Sequence, residues 1–445
     1  MDDAGGASRL NSRGGRGPGV PLSRRQVLRA AGGGLAAVSA GSLAACSGGP
    51  VTNTSAKGSL NLLLWSHFVP AFDVYFDKWA QDWGTKNHVN VTVDHVQTQT
   101  VVTHFSSEVA AGTGHDLVQL QNDTQPAIFA PHLADLTDVR TKVGNANGGW
   151  LSLADFGQYN GQYITLPEFF IIYPGIYRTD LWSSIGAPPP TSYADLIKYG
   201  TELKAKGHIV GVGISAIDDS ENAVMGMMFA HGATFVGKDG KTITFDSPET
   251  RDALNTAKQL YTKAMNSEVL SWTDSSNNDL LDSGVGSYIL NPISAYRSAP
   301  VSIQDKCAFV RPPSGTLPGA NTPTIQTWVM PKWSKVQDTA KKFLSDYYDQ
   351  YQAAFVASTG YNMPFLKKFQ AKPMPILGQG KFQVLQDGAS WSRGTGWPGP
   401  PTPQAGQVAT KYVISGVFSK YVTGAMGLNE AVSYGMSQLK TIYTA

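Results

Sequence analysis

The chain has 445 residues, 42% of them hydrophobic and 15% charged, with a formal net charge of +2. That length exceeds one hydrophobic core, and the apolar and aromatic content excludes global disorder. The near-zero charge argues against a dedicated nucleic-acid binder, and two cysteines exclude a disulfide scaffold or a Cys-rich metal site. The charge is unevenly placed. Residues 1–45 hold six arginines, no lysine and two acids, so the remainder carries 29 basic and 31 acidic residues.

The N-terminal segment reads as an address. Ser23-Arg24-Arg25-Gln26-Val27-Leu28-Arg29 precedes a stretch of Ala, Gly, Leu, Val and Ser from Ala30 to Ala45. A basic region, a short apolar region and small residues before a cleavage point define an export signal. The paired arginines resemble a twin-arginine signal. Leu43-Ala44-Ala45-Cys46 resembles a bacterial lipoprotein box, with Cys46 as the lipid attachment site. Residues 46–58 are small and polar, a flexible tether. No later stretch reaches the ~20 apolar residues needed to span a bilayer, so the expected mature protein is anchored rather than membrane-spanning. Cys307, in the apolar run Cys307-Ala308-Phe309-Val310, reads as a buried thiol.

From residue 59 the elements alternate. Leu60 to Trp65 reads as a buried strand, and Pro70 to Trp83 as a helix with aromatics near 3.6 spacing. Val89 to Val96 reads as a strand, Val101 to Ala111 as a helix ending at Gly112, and Leu117 to Leu120 as a strand. This β-α-β-α-β order predicts an α/β lobe with a largely parallel sheet. Residues 161–167 suggest a hairpin turn running into a strand, and Phe169 to Tyr177 a strand interrupted at Pro174-Gly175. A helix capped by Thr191 or Ser192 runs to Gly207, and a strand covers Val210 to Ser215. Asp246 or Ser247 caps another helix with Pro248 near its first position. Residues 311–323 and 394–406 are Pro/Gly-rich loops, 338–356 a long helix, and 428–442 a final helix.

Catalytic signatures are missing from the pattern. Gly232 to Asp239 approaches a phosphate loop, but Asp239 stands where Ser or Thr would hold magnesium. Gly211-Val212-Gly213-Ile214-Ser215-Ala216 matches a dinucleotide fingerprint by letters only, and strand glycines for close packing explain it. The eight histidines form no metal-binding spacing, and there is no GxSxG elbow. Asp218, Asp219 and Glu221 offer carboxylates for glycoside chemistry, against the simpler reading of a polar loop and helix cap. What stands out is the supply of 10 Trp, 18 Tyr and 18 Phe alongside polar residues near strand ends. Aromatic faces stack on sugar C–H faces while Asp, Glu, Asn and Gln bond hydroxyls. In open α/β lobes ligands bind beyond the carboxyl ends of strands. The segments there are 65–68, 121–123, 168–169, 218–219, 291–292, 326–328 and 361–362, with Trp391 and Trp397 in or beside a Gly/Pro loop.

Several stretches together resemble one family. These are Leu62-Leu63-Leu64-Trp65; Ala110 to Leu117; Asn160-Gly161-Gln162-Tyr163-Ile164-Thr165-Leu166-Pro167; Tyr177-Arg178-Thr179-Asp180-Leu181-Trp182 through Gly186 to Leu196; Phe245-Asp246-Ser247-Pro248-Glu249; Ser283 to Pro292; Ala340 to Leu344; and Gly360 to Pro364. They are similar to the extracellular solute-binding proteins of ABC importers, in the large sugar-binding class. The resemblance implies an α/β fold of two lobes, each a mainly parallel sheet flanked by helices, with the ligand cleft at the hinge. It places lobe 1 at 59–167 plus 291–350 and lobe 2 at 168–290 plus 351–445, with chain crossings near 167, 291 and 350. Trp65, Trp328, Trp391 and Trp397 are expected as stacking walls. Asp123, Glu168, Asp219 and Asn291 are expected as hydroxyl anchors, with His67 and Gln326 beside them. No metal, cofactor or catalytic residue is implied. The expected partners are a small-molecule ligand, a sugar, and ABC permease subunits, with a membrane contact through the lipid and a monomeric state. Three alternatives stay open: a polyamine or other cation held by Asp123, Glu168 and Asp219; an exported glycoside-processing enzyme; and a sensor or adhesin that kept the fold and lost its permease.

Overall fold

The computed structural model describes residues 58–444. The export signal, Cys46 and nearly all of the tether therefore lie outside the described residues. Two mixed sheets organise the rest. The larger one contains β1 (Ser59–Trp65), β2 (Asn90–Val96) and β3 (Leu117–Gln121). A small hairpin, β4 (Gln158–Tyr159) and β5 (Gln162–Tyr163), precedes its next strand, β6 (Leu166–Ile171). The smaller sheet holds β7 (Gly175–Arg178), β8 (Ile209–Gly211), β9 (Gly286–Leu290) and β10 (Cys307–Val310). The chain then returns to the larger sheet with β11 (Thr324–Val329) and β12 (Met363–Pro364). The orders are β12-β6-β11-β3-β1-β2 and β10-β7-β9-β8.

The first βαβ unit shows how the sequence builds its lobe. Leu60 and Leu62 to Trp65 are buried, because helices cover the sheet and the strand can be apolar on both faces. The helix Pro70–Asn87 starts with Pro70, whose missing N–H costs nothing there, and stops where His88 adopts a left-handed backbone at φ 57°. Its Phe72, Phe76, Ala80 and Trp83 fall on one stripe and are buried. In the smaller lobe, Ser192 and Asp195 form a capping box for the helix Tyr193–Ala205. Ser247 caps Pro248–Ala264 in the same way by accepting from the Thr250 N–H.

The sheets are less parallel than expected. β1 runs parallel to β2 and β3, and β8 to β9, while every other pairing within the two sheets is antiparallel. The reason is connectivity: β6 carries the chain out of the larger sheet and β11 brings it back, so these neighbours must run in opposite senses. The crossings also differ from the expected positions. They fall at 172–174, at 311–323, and between Trp391 of one core and Ala405 of the other. β10, expected in the first lobe, pairs with β7, and β12, expected in the second, pairs with β6. The long helix expected at 338–356 is two, Gln337–Asp349 and Tyr351–Ala357, broken at Gln350. The strand expected to Ser215 ends at Gly211.

The two glycine motifs are structural. A Cβ at Gly213 would lie 2.4 Å from Ser220 Oγ, and one at Gly211 would meet Leu280 and Trp272 below 3 Å. Asp239 closes a turn by accepting from the Lys241 and Thr242 N–H groups at 2.9 Å each. Cys307 is buried, and burial pushes its thiol up to about 11.

Candidate functional site

A cleft of about 530 Å³ lies where the carboxyl ends of β1 and β3 face that of β9 and the first turn of the helix Asp218–Ala230. The larger lobe supplies Trp65 and Phe68 after β1, Gln121 and Asn122 at the end of β3, and Gln125. The smaller lobe supplies Asp218 and Asp219 from the first turn of the helix Asp218–Ala230, Asp274 and Asn278, and Asn291 with Pro292 after β9. Ile171 and Tyr173 line the floor at the first crossing, with Thr324 from the second, and Tyr361 and Tyr412 complete the walls.

Each wall has an identifiable support. Trp65 packs edge-on to Phe68, with ring centroids 5.3 Å apart, and tilts against His67 at 4.8 Å. Asn122 has a left-handed backbone, φ 65°, and its N–H reaches Ile325 O at 2.6 Å. Tyr412 is left-handed too, at φ 51°, a conformation that costs about 1 kcal/mol or more for a bulky residue and concentrates at functional positions. Asp219 is held from three sides. Its Oδ1 accepts from Tyr173 Oη at 3.0 Å, and its Oδ2 from Asn277 Nδ2 at 3.0 Å and Asn291 Nδ2 at 3.3 Å. Tyr173 Oη also lies 2.9 Å from Thr324 Oγ1, so the two crossings meet at this carboxylate.

Burial, with the neighbouring Asp274, pushes Asp219 up to about 7. The same two causes raise Asp218, opposed by a hydrogen bond with Tyr412. Glu221, one turn along, points elsewhere. It accepts from the Ile414 and Ser415 N–H groups at 3.1 and 2.7 Å, capping the helix Val413–Val422, and burial lifts it to about 7.

A profile of the bacterial extracellular solute-binding proteins matches residues 78–376. The chain belongs to this family. Solved structures of the same fold include maltose-bound MalE3 from T. maritima, at 19% identity and TM-score 0.73, covering 86% of this chain and 99% of that one. A sugar transporter from Arthrobacter chlorophenolicus with bound laminaribiose shares 17% identity at TM-score 0.74, covering 86% and 99%. A solute-binding protein from Thermotoga lettingae with bound alpha-D-tagatose shares 17% at 0.74, covering 87% and 100%. A search of curated proteins found no match. The family is an extracellular, binding one, and the two-lobed fold is common to all three structures.

In this solute-binding protein the cleft gathers Trp65, Asp219 and Asn291 from the expected residues and leaves the others elsewhere. Glu168 points under the sheet, where it accepts from Tyr347 Oη at 2.9 Å and from Gln119 Nε2; burial pushes it to about 8. Asp123 Oδ2 accepts from the Thr395 N–H at 2.9 Å and ties β3 to the third crossing, with burial raising it to about 6. His67 Nδ1 accepts from the Val69 N–H and Nε2 bonds Asn362 Oδ1, both at 2.8 Å. Burial lowers it to about 4, so it stands neutral behind Trp65. Gln326 is buried within β11. Trp328 is fully buried and stacks on Phe76 at 5.9 Å. Trp391 is buried beneath the Arg311 guanidinium, and half-buried Trp397 meets Phe229 edge-on at 5.3 Å. Trp328 and Trp391 fill a core because a ring of that size gains more by full burial than a loop position offers, and Trp397 packs at the edge of the other core.

Among the residues missed were Gln125, Tyr173, Tyr412, Asp274 and Asn278. Tyr173 stood beside the Pro174-Gly175 break, a readable crossing signal. Nothing local marked the others, since Gln125 opens a five-residue helix after β3 and the remaining three reach the cleft only after the second lobe folds.

Proposed function

We propose that this protein captures a carbohydrate in the interlobe cleft and delivers it to an ABC permease, with no turnover. The carrying observation is the composition of the cleft. Exposed Phe68 and half-buried Tyr412, backed by the buried rings of Trp65, Tyr173 and Tyr361, stand among the neutral amides of Gln121, Asn122, Gln125, Asn278 and Asn291. That is a stacking surface combined with hydroxyl partners, on walls from both lobes. The sugars named with the three similar structures point the same way. A ligand touching both walls favours the closed arrangement of the lobes, and the closed form is what a permease can distinguish from the empty one.

Cys46 is the proposed lipid attachment, with 46–58 as tether, holding a monomer at the outer face of the cytoplasmic membrane. Trp65, Asp219 and Asn291 are the proposed ligand contacts among the sequence-derived residues. The test is a thermal-shift screen of mono-, di- and trisaccharides. A sugar at about 100 times its dissociation constant stabilises the native state by about 2.7 kcal/mol. No shift with any saccharide sinks the carbohydrate reading. For the anchor, Cys46→Ser should release the protein from the membrane fraction, and retention there refutes it.

A further inference from the structure

The cleft exists as a cavity between two sheets, whatever its charges, but its charges are one-sided. Three of the described residues lining it are carboxylates, Asp218, Asp219 and Asp274, and none is a lysine, arginine or histidine. We propose that the saccharide taken here carries a protonated amine, as in an amino sugar or an oligosaccharide containing one, with its ammonium facing Asp218, Asp219 and Asp274. The inference rests on the carbohydrate reading above and narrows its ligand class.

The donors on Asp219 are Tyr173, Asn277 and Asn291, all neutral. They orient the carboxylate without cancelling its charge. The positive end of the helix Asp218–Ala230 offsets about half an elementary charge, which is less than the three acids of its own first turn, Asp218, Asp219 and Glu221. Asp274 adds to these and raises the proton affinity of Asp218 and Asp219. With a neutral sugar in the cleft, that repulsion is relieved only by proton uptake, as at Asp219, which burial and Asp274 push up to about 7. An ammonium supplies the opposite charge and three N–H donors at once.

Two other cations fit less well. Among the described residues no three His, Cys, Asp or Glu side chains converge on a point where a metal ion would sit. A polyamine can lay its ammonium groups over the aromatic faces, but it offers no hydroxyls to the amides of Gln121, Asn122, Gln125, Asn278 and Asn291. The acids sit on the smaller lobe, whereas Trp65 and Phe68 sit on the larger one. A ligand with a ring at one end and an amine at the other meets both walls. Its charge then grips one lobe while its ring stacks on the other.

The test is calorimetric titration of the full-length protein with matched probes. These are glucose and glucosamine; cellobiose and the β1,4-linked glucosamine disaccharide; N-acetylglucosamine as a neutral control; and spermidine. Titrations run at about 20 mM and about 300 mM salt. The aminated member of a pair should bind about tenfold tighter or more, and the advantage should shrink at high salt. It should fall to about threefold or less in Asp218→Asn and in Asp274→Asn, each first checked for an unfolding midpoint no lower than the wild type's. Binding of neutral sugars as tight as their aminated partners overturns the amine inference and leaves the carbohydrate reading standing. Spermidine binding with no saccharide binding overturns the carbohydrate reading and the inference with it. An aminated advantage indifferent to both substitutions, or no titration by any aminated probe up to about 10 mM, overturns the inference as well.

Discussion

Glu168 is a carboxyl that the fold should hold protonated, and this can be measured. Its site is dry: the residue is 1% exposed on a strand whose six residues are all buried. Its partners, Gln119 Nε2 and Tyr347 Oη, are neutral donors. Burial moves it from the ordinary 4.5 to about 8. A carboxyl raised on folding stabilises the native state fully below the unfolded value. That stability is lost as pH climbs from 4.5 toward 8, because the unfolded chain ionises freely and the folded one does not. Each tenfold step in that window costs about 1.4 kcal/mol, so the penalty at pH 8 approaches about 5 kcal/mol as an upper bound. Glu168→Gln removes the ionisation while keeping an oxygen for Tyr347. The Gln119 amide can rotate to accept from the new amide, since its Oε1 is buried and without a partner. Urea unfolding of wild type and variant at pH 5, 6.5 and 8 reads the effect. The variant should match the wild type at pH 5 and exceed it by a few kcal/mol at pH 8. A variant that is less stable at pH 8, with the wild-type pH slope retained, would falsify a protonated Glu168 and indicate an ionised, paired one.

Phe68 lines the cleft yet is 56% exposed, so Phe68→Ala should cost sugar affinity about fivefold or more while moving stability by less than about 1 kcal/mol; unchanged affinity would remove it from the stacking wall. Cys307, buried and pushed up to about 11, should resist a thiol reagent in the native Cys46→Ser protein and react fully in denaturant; rapid native labelling would contradict its burial.

The first lobe was legible because its signals are local. Leu60 to Trp65, the Phe72/Phe76/Ala80 stripe and the stop at Gly112 each announce an element within a few residues. The Pro/Gly run at 311–323 was also visible as a loop, and that at 394–406 as one up to Thr402, where the helix Pro403–Thr410 begins, but nothing in their composition says that a loop changes lobe. Their role follows from which strand pairs with which, a contact over more than a hundred residues. The same limit governed the site. Asp219 and Asn291 were readable as polar residues at strand ends, and they do meet at the cleft. Asp123 and Glu168 looked equally suitable, but each bonds to a distant segment, 395 and 347, that the chain brings against it.

The sequence by itself therefore left the helices Thr137–Ala146, Asp218–Ala230 and Val413–Val422 unread, but determined the elements of the first lobe's opening βαβαβ run, several capped helices beyond it and the resemblance to a solute-binding family. These depend on spacing along the chain, which periodicity and capping report directly. Only the tertiary structure decided that the lobes are mixed sheets, which segments cross between them, and that Tyr173, Asp218, Asp274 and Tyr412 share a cleft with Trp65. A side chain's outward or inward course is set by what packs against it, and in this fold the packing partner is usually supplied by another passage of the chain.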